Sequence, residues 1–238
     1  MPNPYSDSKP PNPIILNSLI KSGNLKRLIH FHKKHPNIFK DIDYLRECAI
    51  HNKLEIAEWL VSIDCPFNDE DGNDCISRCA AIYADGTFFK CIHELGCSIS
   101  EHCYDYAAEY GNLSILKYMH RVRISEGWVS FSELLYHADK LNIIKWCFEN
   151  GAKPDKDFIN NIVGCCFNAD FNDTVAIIEL ARKHNAEWSC ETSFFAAKQG
   201  NLPLLKWLYK NKCPIDVLRI CEVVRNESIT IDLTSFSE

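Results

Sequence analysis

Apolar residues along this chain fall in short clusters, each followed by a small polar turn. Residues 195–208 show the pattern at its clearest. Ala196-Ala197 supplies two small side chains, Gly200-Asn201 interrupts, and Leu202, Leu205 and Leu208 follow at three-residue steps, with Leu204 widening the stripe. That spacing predicts two short helices joined by a tight turn. Adjacent alanines favour helix and let a neighbouring helix come close. Gly accepts the left-handed backbone that ends a helix. Asn201 is placed to cap the second helix, and Pro203 sits where a missing N–H costs little. Cys213-Pro214 marks the exit, because the residue before Pro disfavours helix. No alternating β pattern of useful length is present, so the expected class is all-α.

The same block recurs. Residues 106–119 and 47–60 repeat it closely, with Gly111-Asn112 at one turn and Cys65-Pro66 at one exit. Weaker copies run through 79–97, 141–152 and 22–28, and the most degraded lies at 173–180. The position before the Trp of Lys206-Trp207 serves as a marker. It falls at 29, 58, 90, 117, 145, about 179, and 206, at spacings of roughly 27 to 34 residues. One helix pair cannot bury both of its apolar faces, whereas stacked pairs share a continuous core. About seven such units are expected over residues 14–221. Residues 1–13, with prolines at 2, 4, 10, 11 and 13, are expected to form a Pro-rich arm, extended or disordered. Residues 222–238 lack the repeat and are expected to be a cap or tail.

These blocks resemble ankyrin repeats in a divergent form. The second half of an ankyrin unit runs Gly-His-x-x-Val-Val-x-x-Leu-Leu-x-x-Gly-Ala. Residues 200–213 are similar to it at full length, with Asn201 for His, Leu204-Leu205 for Val-Val and Lys212-Cys213 for Gly-Ala. The Lys-Trp-Leu and Cys-Pro variants resemble arrays common in large DNA viruses and protists. The Thr-Pro-Leu-His tetrapeptide that opens an ankyrin unit is missing, and several units are short, which implies clipped hairpin fingers. No F-box-like segment closes the chain. The resemblance implies an ankyrin-like helical-repeat solenoid and a non-enzymatic protein–protein interaction module. It implies a concave partner surface at the two residues between Ala-Ala and Gly: Ile50 and His51, Ile82 and Tyr83, Glu109 and Tyr110, and Lys198 and Gln199. The alternative is a structural or assembly component of a larger particle.

Charge sharpens the expected partner. The net charge is -6, yet residues 1–40 carry +6, residues 41–110 carry -11 and residues 111–238 carry -1. An acidic middle third attracts a basic partner protein and repels nucleic acid. The longest uncharged apolar runs, 79–84 and 162–167, are far too short for a membrane span. The N-terminal residues show no basic start followed by an apolar stretch. A cytoplasmic setting is expected, in the host cell if the source is a virus.

Composition adds one puzzle, 13 Cys against only 9 Gly. In a reducing compartment these are not a disulfide framework. The repeat register absorbs many: Cys65, Cys97 and Cys213 share the exit-turn position, and free Cys behaves as a small buried hydrophobe. A crowd of Cys75, Cys79, Cys91, His93, Cys97, His102 and Cys103 remains. Cys75 and Cys79 have a permissible zinc spacing, but no second pair matches. The vicinal Cys165-Cys166 is read as buried rather than redox-active. His30, His32 and His35 cannot share one helix face. Asp69 to Asp74 fails as a calcium loop, because no Glu closes it. Phosphate-loop, nucleophile-elbow and zinc-protease motifs are absent. No cofactor, metal or catalytic residue is expected.

Overall fold

The computed structural model describes residues 10–67, 75–100, 102–122, 140–165 and 170–226. Among them it is all-α, with fourteen helices and no strand. The chain divides into two compact units, residues 1–128 and 129–238.

The first unit contains α1 (Pro13–Lys21), α2 (Leu25–Lys34), α3 (Asp43–Ile50), α4 (Leu54–Ser62), α5 (Cys75–Tyr83), α6 (Gly86–Glu94), α7 (His102–Glu109) and α8 (Leu113–Val122). Each odd helix packs on the even helix that follows it. The odd helices also form a row, α1 on α3, α3 on α5 and α5 on α7, while α4 packs on α6 and α6 on α8. Small side chains make the odd row possible. Cys48-Ala49, Ala80-Ala81 and Ala107-Ala108 are completely buried there.

The second unit contains α9 (Leu141–Glu149), α10 (Phe158–Cys165), α11 (Phe171–Lys183), α12 (Cys190–Lys198), α13 (Leu202–Lys210) and α14 (Val217–Asn226). Helix α12 packs on α10, α13 and α14, and α11 packs on α9, α10 and α13. Arg219 anchors α14: its guanidinium lies 3.8 Å from the centroid of the Phe194 ring and pairs with Glu191. The boundary expected at residue 221 therefore falls inside a helix. Pro13, expected at the end of the Pro-rich arm, is instead the first residue of α1, capped by the Asn12 side chain.

One buried triplet recurs in the second helix of each pair. Relative to the marker it stands two before, one before and two after: Ile56, Ala57, Leu60; Phe88, Phe89, Ile92; Ile115, Leu116, Met119; Ile143, Ile144, Cys147; Ile177, Ile178, Ala181; Leu204, Leu205, Leu208. In α2 only Leu28 and Phe31 of the triplet are apolar and buried. The marker residues Glu58, Lys90, Lys117, Lys145, Glu179 and Lys206 are exposed. Each fully buried Leu, Ile or Phe contributes about 1.5–3 kcal/mol before entropy is counted, so these stripes are the main cohesive force.

The ends of these helices share a second device. Five of them close with a left-handed residue followed by a buried small one: Asp64-Cys65, Gly96-Cys97, Gly151-Ala152, Asn185-Ala186 and Lys212-Cys213. In each, the small residue's N–H donates to a carbonyl five residues back, for example Cys65 to Leu60 at 3.0 Å and Cys213 to Leu208 at 2.9 Å. This is the Schellman closure, whose second outer residue packs against the helix it ends. The thiols of Cys65 and Cys213 also point the same way, to the carbonyls of Asp41 and Ser189, each 24 residues earlier. The shared exit position read for Cys65, Cys97 and Cys213 is thus a shared backbone geometry.

Candidate interaction face

The eight residues singled out for partner binding sit at the ends of α3, α5, α7 and α12. Three of these ends turn by backbone alone. Asn52, Gly111 and Gly200 take φ of 51°, 83° and 65°, and the next residue's N–H reaches back to Cys48, Ala107 and Ala196. The end of α5 differs. Ala84 replaces Gly and is not left-handed, so the α5–α6 turn is closed by side chains.

Asp85 is the centre of that closure. Its carboxylate accepts from the N–H groups of Thr87 at 2.9 Å and Phe88 at 2.8 Å, capping α6. It also accepts from the Asn52 amide at 2.8 Å, while its own N–H donates to Asn52 Oδ1 at 3.3 Å. The Phe88 N–H, the Asn52 amide and the Thr87 N–H hold the Asp85 carboxyl below its usual range, against a smaller opposing effect of burial. From the other side, Asn112 Nδ2 donates to the carbonyls of Ala81 at 2.6 Å and Ile82 at 3.2 Å. Those carbonyls belong to the end of α5, where a helix leaves acceptors unsatisfied. The equivalent Asn24 and Asn201 accept on their side-chain oxygens from the Arg27 and Leu204 N–H groups and cap their helices.

This platform carries two exposed tyrosines. Tyr83 and Tyr110 are 55% and 51% exposed, and their ring centroids lie 6.5 Å apart at 52°. Glu109 beside them is exposed, and Ile82 is half-buried. On α3, Ile50 is half-buried and His51 Nε2 lies 3.4 Å from Glu47 Oε2. On α12, Lys198 is exposed, whereas Gln199 is half-buried and donates from Nε2 to the Gly164 carbonyl at the end of α10. Gln199 is therefore a tie within the second unit. The structure brings Tyr83 and Tyr110 together, holds Ile50 and His51 on the neighbouring helix of the same row, and puts Lys198 and Gln199 in the other unit. Sequence reasoning missed the roles of Asn52 and Asp85, whose pairing joins residues 33 apart.

Four of the buried thiols are held in the protonated form. Burial pushes Cys65 and Cys147 up to about 12 and Cys213 up to about 11, and raises Cys48 as well. A protonated buried thiol is neither a nucleophile nor a ready ligand. Cys91 Sγ donates to Glu58 at 3.3 Å, and His93 Nδ1 meets the Tyr118 hydroxyl at 2.7 Å. Among the described residues no group of three His, Cys, Asp or Glu side chains could hold a metal ion. The Cys75 side chain, the acidic turn at 69–74 and the Cys165-Cys166 side chains lie outside the described residues. No described helix is long and apolar enough to cross a membrane. No protein-family model matches the chain, and no curated protein matches it significantly.

Proposed function

We propose that this chain is an ankyrin-like helical-repeat array acting as a non-enzymatic interaction module. Its partner is a protein with a basic segment, held at the turns that follow α3, α5 and α7. The observation that carries this reading is the tyrosine pair. Two aromatic rings at equivalent turns stay half exposed although each crosses no other part of the core, and they stand on backbone tied across three consecutive helix pairs. Tyr is favoured at interfaces because it offers large contact area at small entropy cost. A rigid platform lowers the ordering cost of binding. With Glu109 beside Tyr110 and Asp85 beside the α5 end, the pair suits a Lys or Arg side chain laid across an aromatic face.

The assembly reading asks for a broad apolar stripe. Among the described residues the exposed large apolar side chains other than the tyrosine pair are few, and only Val217 and Leu218 are neighbours in sequence. That distribution favours the module.

The test is affinity capture from the native cell with mass spectrometry, comparing wild type with Tyr83→Ala plus Tyr110→Ala. Tyr209→Ala, an exposed tyrosine on α13, serves as control. Loss of a wild-type partner in the paired variant alone, with helicity and melting unchanged, is the expected result. Undiminished capture by the paired variant overturns the assignment.

A further inference from the structure

The second unit holds a site of different chemistry, formed by its second-position helices. An open surface groove of about 470 Å³ lies between α11 and α13, lined by Glu179, Arg182, Lys183, Trp188, Trp207 and Asn211. Trp188 and Trp207 meet nearly at right angles, with ring centroids 6.2 Å apart at 76°. Both are only half-buried. Two indoles left partly in water form an expensive surface unless something covers them.

Arg182 is held at this corner. Its guanidinium carbon lies 4.6 Å from the Trp188 ring centroid, and Nη1 donates to the Ala186 carbonyl at 2.9 Å. Stacking and one backbone bond fix the plane of the group but use one of its five donors. Lys183 stands next to it, exposed. Glu179 lies one turn earlier on the same helix, yet among the described residues neither cation pairs with it within ion-pair distance. Were Arg182 present only to settle the local charge, Glu179 would be its natural partner. The lining instead keeps two unneutralised cations beside one carboxylate, a single net positive charge.

We propose that this corner binds an acidic peptide segment of a partner protein, a carboxylate on Arg182 and Lys183 and an apolar side chain against Trp188 and Trp207. Arg offers a carboxylate a two-pronged hydrogen bond, and a pre-fixed guanidinium loses less entropy on doing so. Trp and Arg are the residue types that dominate binding energy at interfaces. Glu179 on the rim favours a singly charged carboxylate over a doubly charged phosphate. This site is independent of the tyrosine pair: it lies in the other unit, and its partner charge is opposite.

The test uses the full chain and the indole N–H resonances of its tryptophans, with Trp188→Phe and Trp207→Phe identifying the two signals. The probes are the pentapeptide Glu-Glu-Phe-Glu-Glu, its Lys-for-Glu counterpart and adenosine monophosphate. The acidic peptide is expected to shift both signals, with those of Trp59 and Trp146 unmoved. Arg182→Glu and Lys183→Glu, tested separately, each reduce its affinity at least tenfold. Lys183 is exposed at the end of its helix, so the second variant remains informative should the first unfold the unit. No shift with any probe, equal binding of the Lys peptide, preferential binding of the nucleotide, or full affinity in Lys183→Glu each overturns the proposal.

Discussion

The turns after α1, α3, α7 and α12 and the turn after α5 do the same job by different means. At Gly23, Asn52, Gly111 and Gly200 the backbone enters the left-handed region and closes the helix with its own N–H groups. At Ala84 it does not, and the work passes to Asn52 from the preceding helix pair and Asn112 from the following one. A backbone closure is local and asks nothing of the neighbouring pairs. A side-chain closure spends bonds across pairs and couples them. Tyr83 stands at the coupled turn and Tyr110 at the end of the next odd helix beside it, so the turn tied to both neighbouring pairs supports the candidate binding face.

The comparison breaks most directly at Gly86, the first residue of α6. A Cβ added there would lie 2.9 Å from Ser114 Cβ on α8, so only Gly permits this approach. Gly86→Leu is expected to cost about 1–3 kcal/mol by overpacking. In a double-mutant cycle by urea unfolding, Ser114→Gly costs less beside Gly86→Leu than alone. Additive losses would show that α6 and α8 are not in limiting contact.

Gly23→Ala probes the opposite kind of turn. A Cβ at Gly23 meets nothing within 4 Å, so the substitution strains only the backbone, at φ of 76°. About 1–2 kcal/mol of destabilisation is expected. It should be independent of any substitution at Asn52 or Asp85. A thermal melt that fails to move would mean that the left-handed closure at α1 carries no weight.

What could be read in the sequence is what repeats at short range. The triplet at 204, 205 and 208 is written as apolar residues one helical turn apart, and the same offsets hold even in the degraded copy, where Ile177, Ile178 and Ala181 are buried. Gly and Asn at left-handed turns, and small Cys or Ala just after the second helix, are set by local steric rules that a sequence displays. The α5 turn was not legible, because Ala84-Asp85 acquires meaning only through residues about 30 positions away. The tie made by Gln199 was not legible for the same reason: its turn matches that of Tyr110, but its amide has a carbonyl within reach at Gly164. Trp207 served as a register mark, and nothing in its neighbours predicts that Trp188, with Arg182 stacked on it, would meet it across a turn and a helix.

Asp85→Ala removes the cap and the link to Asn52 together. About 1 kcal/mol of stability should be lost. The loss should shrink in an Asn52→Ala background, since part of it belongs to the pair. Chemical denaturation of the four members of that cycle measures the shared portion. A coupling of zero would make Asp85 an ordinary local cap and return the α5 turn to the class of the others.

Asp85→Asn is the finest probe. Asn caps a helix about as well as Asp, so at neutral pH the change should be only a few tenths of a kcal/mol. Acid separates the two. The folded carboxyl titrates below its unfolded value of about 3.9, so its contribution is fully present above that pH and is lost as pH falls through the folded value. Wild type should therefore lose stability on going from pH 5 to pH 3 by more than the Asn variant does. The difference, read from paired urea melts at the two pH values, isolates what the charge adds to the cap. Parallel losses would mean that the three donors around Asp85 serve a neutral acceptor equally well. The tie across the helix pairs would then rest on hydrogen-bond geometry alone.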